Sequence, residues 1–183
     1  MKPAIFLDRD GVINQNRHDY VKSWSEYVFL SGAFEALRRL ASTPFAVVVV
    51  TNQSPINRGF VPQHVVEQIH QRMIAEIHDH EGRIDAVFYC PHHPDENCFC
   101  RKPRPGLLLQ AAQQLELDLG RSFLIGDAVS DLDAALAVGV QPFLVLTGRG
   151  REQMQRLRAR GTNGVHVVKD IKEAVEHILE QSF

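Results

Sequence analysis

Short apolar runs alternate along the chain with longer stretches in which apolar residues recur every three or four positions. Short runs of this kind are typical of buried strands, and the longer pattern is typical of amphipathic helices. The predicted strands cover residues 4–7, 46–50, 84–89, 122–126, 142–146 and 165–168. The predicted helices cover residues 31–41, 62–80, 105–115, 130–139, 151–160 and 170–181, with Ser31 and Ser130 as expected N-caps. This alternation predicts a Rossmann-like, doubly wound parallel α/β sheet with helices on both faces.

No composition shift, repeat or linker divides the chain, so we expect a single domain over residues 1–183, without a separate cap domain. The 44% hydrophobic and 23% charged content is that of a globular protein, and the formal net charge of −2 offers no basic surface for nucleic acid. No apolar run approaches the roughly 18 residues that a membrane-spanning helix needs. The first strand begins so early that we expect no signal peptide.

The three cysteines all lie between positions 90 and 100. An odd, clustered set favours metal binding in a reducing compartment over a disulfide framework, so we expect a cytoplasmic protein. Cys90, Cys98 and Cys100 with one histidine would give a tetrahedral, structural Zn²⁺ site. The alternative is three small buried thiols, and spacing alone does not choose between His92 and His93. Zinc would hold in place a loop that has no predicted secondary structure.

Polar side chains stand where the predicted strands end. Asp8 and Asp10 follow the first strand, Thr51 follows the second, and Asp127 ends the fourth. The carboxyl ends of parallel strands meet at one edge of a sheet, where ligands bind. Two neighbouring carboxylates repel each other, and a divalent cation with oxygen ligands removes that cost. For Asp8 and Asp10 alone, an ordinary acidic turn is the alternative interpretation.

The order aspartate, threonine, lysine, aspartate resembles that of the haloacid dehalogenase superfamily of phosphotransferases. The motifs that carry a closer resemblance are Leu7-Asp8-Arg9-Asp10-Gly11, Thr51-Asn52-Gln53-Ser54 with Arg58-Gly59, Cys90-Pro91-His92-His93-Pro94 and Cys98-x-Cys100-Arg101-Lys102-Pro103. Together they are similar to the D-glycero-D-manno-heptose 1,7-bisphosphate phosphatase family, and less closely to the related histidinol-phosphate phosphatases. The resemblance covers nearly the whole chain. It implies a haloacid dehalogenase fold and Mg²⁺-dependent removal of the 7-phosphate of the heptose.

The resemblance also implies a role for each residue of the site. Asp8 would attack phosphorus to form an aspartyl-phosphate, and Asp10 would act as general acid and then base. Thr51 and Lys102 would hold the transferring oxygens. Mg²⁺ would bind Asp8, the carbonyl of Asp10 and Asp127. Asp131 would either order the metal shell or serve as a first-turn helix acid.

The zinc ligands that the resemblance implies are Cys90, His92, Cys98 and Cys100. The residues that stand where this family contacts its sugar bisphosphate are Asn16, Arg17, His18, Asp19, Tyr20, Thr51, Asn52, Gln53, Ser54, Arg101 and Lys102. Three features depart from the family pattern. Pro55 replaces a glycine, Ala128 stands where a lysine can reach substrate, and the segment before Tyr20 is one residue longer.

Other interpretations stay open at this point. A histidinol-phosphate phosphatase would have the same zinc loop, and a polynucleotide 3′-phosphatase has a similar catalytic motif but needs a basic stripe. A zinc-stabilised binding module without activity is a further alternative. We expect a monomer that binds a small sugar phosphate and neither nucleic acid nor membrane. The histidines at positions 64, 70, 78 and 80 are expected to face solvent.

Overall fold

The computed structural model describes residues 1–161 and 164–182. In this part of the chain, six parallel strands form one sheet in the order β3-β2-β1-β4-β5-β6. The strands are β1 (Ala4–Leu7), β2 (Ala46–Asn52), β3 (Ala86–Cys90), β4 (Phe123–Gly126), β5 (Gln141–Val145) and β6 (His166–Val168). The order of winding reverses between β1 and β4, the point at which open parallel sheets bind ligands.

Helices cover both faces of the sheet, as predicted. The helices are α1 (Ala33–Ala41), α2 (Gln63–Asp79), α3 (Gly106–Leu115), α4 (Val129–Leu136), α5 (Gly150–Arg160) and α6 (Ile171–Ser182), with short 3-10 helices at Trp24–Glu26, Pro94–Glu96 and Leu119–Arg121. Ile5 and Leu7 face a core that includes α1, α2 and α6, whereas Ala4 and Phe6 face α3 and α4. The doubly wound prediction is therefore confirmed.

The register of β1 with its neighbours places the strand ends side by side. Leu7 pairs with Val49 of β2 and with Ile125 of β4. Residues that follow these three strands must therefore emerge at the same edge of the sheet. No helix in the described part of the chain is both long and apolar enough to cross a membrane.

Both predicted serine caps are wrong. Helix α1 begins after Gly32, whose φ of 83° is in the left-handed region, and Ser31 lies outside it. Helix α4 begins at Val129, so Ser130 lies in its first turn. Asp131 takes the capping role there, because its Oδ2 accepts a hydrogen bond from the amide of Ala128 at 3.0 Å.

The prediction that four histidines face solvent is wrong for His70, whose side chain is only 5% exposed. His64, His78 and His80 are exposed as expected. Position 70 lies four residues after Val66 and three before Met73, both of which are buried. Helical geometry therefore turns His70 toward the interior, where it meets Arg9.

Candidate active site

Three buried carboxylates converge at the carboxyl edge of the sheet. Asp8 follows β1, Asp127 follows β4, and Asp131 lies in the first turn of α4. Each offers an oxygen within 4.8 Å of the others, and their exposed fractions are 5%, 0% and 0%. The parallel register brings Asp8 and Asp127 together, because their strands are adjacent in the sheet.

Lys102 supplies the positive charge that faces this cluster. Its Nζ lies 3.0 Å from Oδ1 of Asp8 and 2.6 Å from Oδ1 of Asp131, and it donates to the carbonyl of Val50 at 2.8 Å. Asn52 holds the Lys102 backbone, since its side chain donates to the Lys102 carbonyl and accepts from the Lys102 amide, both at 3.1 Å. The end of β2 thus fixes a cation that comes from a distant loop.

Asp10 lies beside the cluster and has its own set of hydrogen-bond donors. Nη2 of Arg9 donates to both of its carboxylate oxygens at 3.0 and 2.9 Å, and Asn14 donates to Oδ1 at 2.9 Å. The Gln53 amide donates to Oδ2 of Asp10 at 2.9 Å and to the hydroxyl of Thr51 at 3.0 Å. Gln53 therefore connects Asp10 to the end of β2.

The electrostatic surroundings separate these carboxyl groups. Burial, with the charges of Asp131 and Asp10, raises the pKa of Asp8 to about 6, although Lys102 opposes the shift. Burial and the charges of Asp8 and Asp131 raise the pKa of Asp127 to about 7. Burial also acts to raise the pKa of Asp10, but Arg9, Asn14 and Gln53 outweigh it and the pKa is lowered.

The carboxylate cluster suits a hard divalent cation. Asp8, Asp127 and Asp131 offer oxygen ligands, and their mutual repulsion is the cost that a bound Mg²⁺ would remove. Gly11 and Gly148 pack against Asp127 so closely that a Cβ at either position would lie 2.1 or 2.3 Å from its Oδ2. Glycine at both positions therefore leaves room for the Asp127 carboxylate at the edge of the sheet.

A cleft of about 530 Å³ opens above these groups. The residues that line it are Asp8, Asp10, Asn16, Arg17, His18, Tyr20, Thr51, Asn52, Ser54, Arg58, Arg101, Lys102, Pro103, Ser130, Asp131 and Arg149. Most of the predicted substrate-binding residues are in this set. Asp19 and Gln53 are not. Asp19 instead pairs with Arg17 and Lys22, and Gln53 is buried beneath the cleft at 2% exposure.

A second cluster lies beyond β3, where Cys90, His92, Cys98 and Cys100 come together. All four ligand atoms lie within 4.8 Å of one another. Four of the six pairs are separated by 3.2–3.5 Å, including 3.2 Å between His92 Nδ1 and Cys100 Sγ and 3.5 Å between the sulfurs of Cys90 and Cys98. A tetrahedron with zinc–ligand distances of 2.0–2.3 Å has edges of about 3.3–3.8 Å, so the four atoms fit Zn²⁺. His93 is turned away and accepts from the amide of Asp95 at 3.2 Å.

The cysteine loop (residues 90–100) also contacts the loop after β2. The side chain of Asn57 donates to both carboxylate oxygens of Glu96 at 2.9 and 3.1 Å, and the backbone amide of Asn57 donates to the carbonyl of Pro91 at 3.2 Å. Arg101 donates to the carbonyl of His92 at 3.3 Å. The loop therefore supports two walls of the cleft, one with Arg101 and Lys102 and one with Ser54 and Arg58.

Comparison with known proteins agrees with this geometry. A HAD-hydrolase-like family model matches residues 99–174. The chain is 42% identical over 152 residues to a D-glycero-beta-D-manno-heptose-1,7-bisphosphate 7-phosphatase of Pseudomonas putida, covering 83% of this chain and 87% of the relative. It is 38% identical over 180 residues to the enzyme of the same name from Bordetella bronchiseptica, covering 97% and 98% of the two chains. The chain belongs to the heptose-1,7-bisphosphate 7-phosphatase family of haloacid dehalogenase-like hydrolases.

The structure of a family member gives the same fold. The D,D-heptose 1,7-bisphosphate phosphatase of B. bronchiseptica, solved with magnesium and phosphate, superimposes with a TM-score of 0.91 at 38% identity, covering 98% of this chain and 99% of that one. The agreement covers nearly the whole of both chains. The predicted haloacid dehalogenase fold is thus confirmed.

Some residues that line the cleft of this chain were not predicted from its sequence. Arg149 follows β5, in a segment to which the sequence analysis gave no role, yet its amide donates to Oδ2 of Asp127 at 2.8 Å and its Nη2 lies 3.5 Å from Oδ1. The available signal was its position after a strand end beside β4. Arg58 and Ser130 also line the cleft. Arg58 belongs to a motif that carries the family resemblance but was given no role, and Ser130 was expected only as a helix cap.

Proposed function

We propose that this chain is a Mg²⁺-dependent phosphatase that removes the 7-phosphate of D-glycero-D-manno-heptose 1,7-bisphosphate. The observation that carries the proposal is the pairing of Asp8 with Lys102 Nζ at 3.0 Å, inside a buried carboxylate cluster at the floor of an arginine-lined cleft. A carboxylate nucleophile, a fixed cation and a metal site are the groups that phosphoryl transfer requires.

Asp8 is the proposed nucleophile. It attacks the phosphorus, the bond to the sugar oxygen breaks, and an aspartyl-phosphate forms that water then hydrolyses. Lys102 and Thr51 hold the transferring oxygens, and fixed donors of this kind stabilise a charged transition state by several kcal/mol. The raised pKa of Lys102, where Asp131 and Asp8 outweigh the effect of burial, keeps its ammonium charged throughout.

Asp10 is the proposed general acid and base. The phosphate dianion raises the pKa of a neighbouring carboxyl, which favours protonated Asp10 when the leaving alkoxide needs a proton. Once the sugar has departed, Arg9 and Asn14 favour the ionised form. Asp10 is then the base that accepts a proton from the attacking water.

Asp8, Asp127 and the main-chain carbonyl of Asp10 are the proposed Mg²⁺ ligands, and Asp131 orders the surrounding shell through Lys102. When bound, Mg²⁺ neutralises the repulsion between the nucleophile and the phosphate. Cys90, His92, Cys98 and Cys100 are the proposed ligands of a structural Zn²⁺. A site with four protein ligands leaves no open position for water, so zinc takes no part in the reaction.

The charge of the cleft supports a bisphosphate substrate. Arg17, Arg58, Arg101 and Arg149 line the cleft beyond the reacting groups. Arginine binds phosphate through paired donors, so these side chains suit a second phosphate. Histidinol phosphate instead carries an ammonium group and an imidazole ring and has no second phosphate, so it offers these arginines no anion beyond the reacting one. The proposed substrate-binding residues are Asn16, Arg17, His18, Tyr20, Asn52, Ser54 and Arg101, with Asp19 and Gln53 acting through Arg17 and Thr51.

We also propose that residues 1–183 form one domain that acts as a cytoplasmic monomer. The six strands belong to one sheet, which supports a single domain. A cluster of unpaired thiols suits a reducing compartment. A net charge of −2 gives no reason to expect a nucleic-acid or membrane partner.

The proposed function is tested by kcat/KM for both anomers of heptose 1,7-bisphosphate, for histidinol phosphate and for a 3′-phosphorylated oligonucleotide. We expect the bisphosphate to be preferred by at least about 100-fold, a difference of roughly 2.7 kcal/mol in transition-state binding. Phosphorus NMR of the product should show the 1-phosphate retained. An Arg101→Gln variant should lose this preference while keeping slow hydrolysis of simple phosphate esters. Equal or faster turnover of histidinol phosphate would overturn the substrate assignment.

A further inference from the structure

Among the residues that the structure describes, Arg9 is the largest fully buried one, with 1% exposure. A buried guanidinium is costly unless its charge and donors are matched. On one side, Nη2 meets both oxygens of Asp10. On the other side, Nη1 lies 3.1 Å from Nε2 of His70, and the ring of Tyr27 lies 5.9 Å from the guanidinium carbon.

His70 must accept the hydrogen bond from Arg9. An arginine stays protonated and has no acceptor atom, so Nε2 of His70 carries no proton and Nδ1 carries it instead. Burial and the charge of Arg9 also lower the pKa of His70 to about 3, which agrees with a neutral ring. Nε of Arg9 has no hydrogen-bond partner among the described residues. The orientation of the guanidinium therefore depends on Asp10 and His70.

We propose that His70 is a positioning residue that acts on Asp10 through Arg9. Its imidazole fixes the guanidinium edge that holds the Asp10 carboxylate beside Asp8, and α2 thereby contributes to a site otherwise built from strand ends and loops. The inference rests on the proposed function, because it concerns the orientation of Asp10, the proposed general acid and base. It predicts that loss of the Nε2 acceptor slows the chemical steps and leaves substrate binding nearly unchanged.

Three variants test this role. His70→Leu fills the same space without an acceptor, His70→Gln offers an amide oxygen that can reach Arg9, and His78→Leu is the control on the exposed face of the same helix. We expect His70→Leu to lower kcat on the order of tenfold with little change in KM. An effect of this size is typical when a residue that orients a neighbour of the reacting group is lost. His70→Gln should recover most of the rate, and His78→Leu should match wild type.

A measurement without substrate separates this inference from the proposed function. Nitrogen NMR of wild type should report His70 with Nε2 unprotonated and Nδ1 protonated. The carboxylate carbon signal of Asp10 should shift in His70→Leu and stay in place in His78→Leu. If wild type hydrolyses no phosphate ester, the proposed function fails and the NMR still decides the positioning role. Wild-type kcat in a folded His70→Leu, an unchanged Asp10 signal, or a proton on Nε2 would overturn it.

Discussion

Asp8 and Asp10 are separated by one residue, and their carboxyl groups have opposite electrostatic surroundings. Asp8 lies in a buried acidic cluster that raises its pKa to about 6, whereas Arg9 is the main cause of the lowered pKa of Asp10. A bound cation would favour the ionised form of the first carboxylate in that cluster, whereas arginine already does so for the second. These opposite surroundings support the proposed roles of Asp8 as nucleophile and Asp10 as proton-transfer group.

Asp127 gives a direct test of the metal site at the scale of one residue. Asp127→Asn keeps an oxygen that can accept from the Arg149 amide but removes the charge, so it should weaken Mg²⁺ binding by about tenfold or more. Titration of activity against Mg²⁺ should show the midpoint shifted to higher concentration. The exposed Asp79→Asn should leave the midpoint unchanged. An unshifted midpoint in Asp127→Asn would remove this residue from the metal site.

Two residues show where prediction from the sequence stops. Asp8, Thr51 and Asp127 could be predicted because strand ends in a parallel sheet meet at one edge. His70 could not be linked to the site, because its contact with Arg9 depends on how α2 packs against the sheet. Arg149 was missed because the sequence of this turn does not indicate that its backbone amide contacts the carboxylate of Asp127.

At the scale of elements, every predicted strand and helix exists, and the errors lie at the ends. The apolar runs determine the strands because burial on both faces leaves no room for polar residues. Helix starts were harder, because Gly32 and Asp131 replaced the expected serine caps. The cysteine loop was predicted from chemistry rather than from periodicity, and its four ligand atoms do lie together.

The cysteine loop is expected to act on substrate binding through the two cleft walls that it supports. Cys98→Ser should lose zinc and loosen Arg101, Lys102 and the Asn57–Glu96 contact. The sheet should stay folded, and KM should rise at least as clearly as kcat falls. Metal analysis by mass spectrometry, together with kinetics, checks both parts.

His92→Ala and His93→Ala are the matched pair for this element. The first should lose zinc and the second should retain it, because His93 is turned toward Asp95 and away from the sulfurs. Full zinc content in Cys98→Ser, or none in carefully prepared wild type, would contradict the structural role of zinc.

At the scale of the whole molecule, the sheet joins residues that are far apart in sequence into one charged site. Positions 8, 51, 102 and 127 meet because β2, β1 and β4 are adjacent and the cysteine loop returns to the end of β2. In the metal-free protein, the buried carboxylates of this site repel one another and destabilise the fold. A bound cation removes that repulsion, so metal binding is linked to the stability of the fold.

This link should make the stability of the metal-free protein depend on pH. Asp8 and Asp127 have folded-state pKa values of about 6 and about 7, above the ordinary value near 3.8. At these two groups the folded state binds more protons than the unfolded state between about pH 4 and about pH 7, so their contribution to stability falls as pH rises through that range. His70, whose folded-state pKa of about 3 lies below its ordinary value of 6.5, acts in the opposite direction, and we expect the two carboxyl groups to outweigh it. Thermal unfolding in EDTA should show a lower Tm at about pH 8 than at about pH 5.

Saturating Mg²⁺ should raise Tm more at about pH 8 than at about pH 5, because protons no longer compete for the carboxylates. Asp127→Asn should reduce the pH dependence measured in EDTA, since one of the two titrating groups is gone. An EDTA profile that does not change between wild type and this variant would contradict the assigned source of the effect.

The central claim is that Asp8 receives the phosphoryl group, and trapping that group tests it most directly. Asp10→Asn slows the water step and should therefore accumulate the aspartyl-phosphate. Heptose 1,7-bisphosphate and Mg²⁺ would be mixed with this variant, quenched in acid within one turnover, and the peptides analysed by mass spectrometry. We predict a phosphoryl group on Asp8, none in Asp8→Asn, and complete loss of turnover in that folded variant. A phosphoryl group on another residue, or more than a few per cent of activity in Asp8→Asn, would contradict the account.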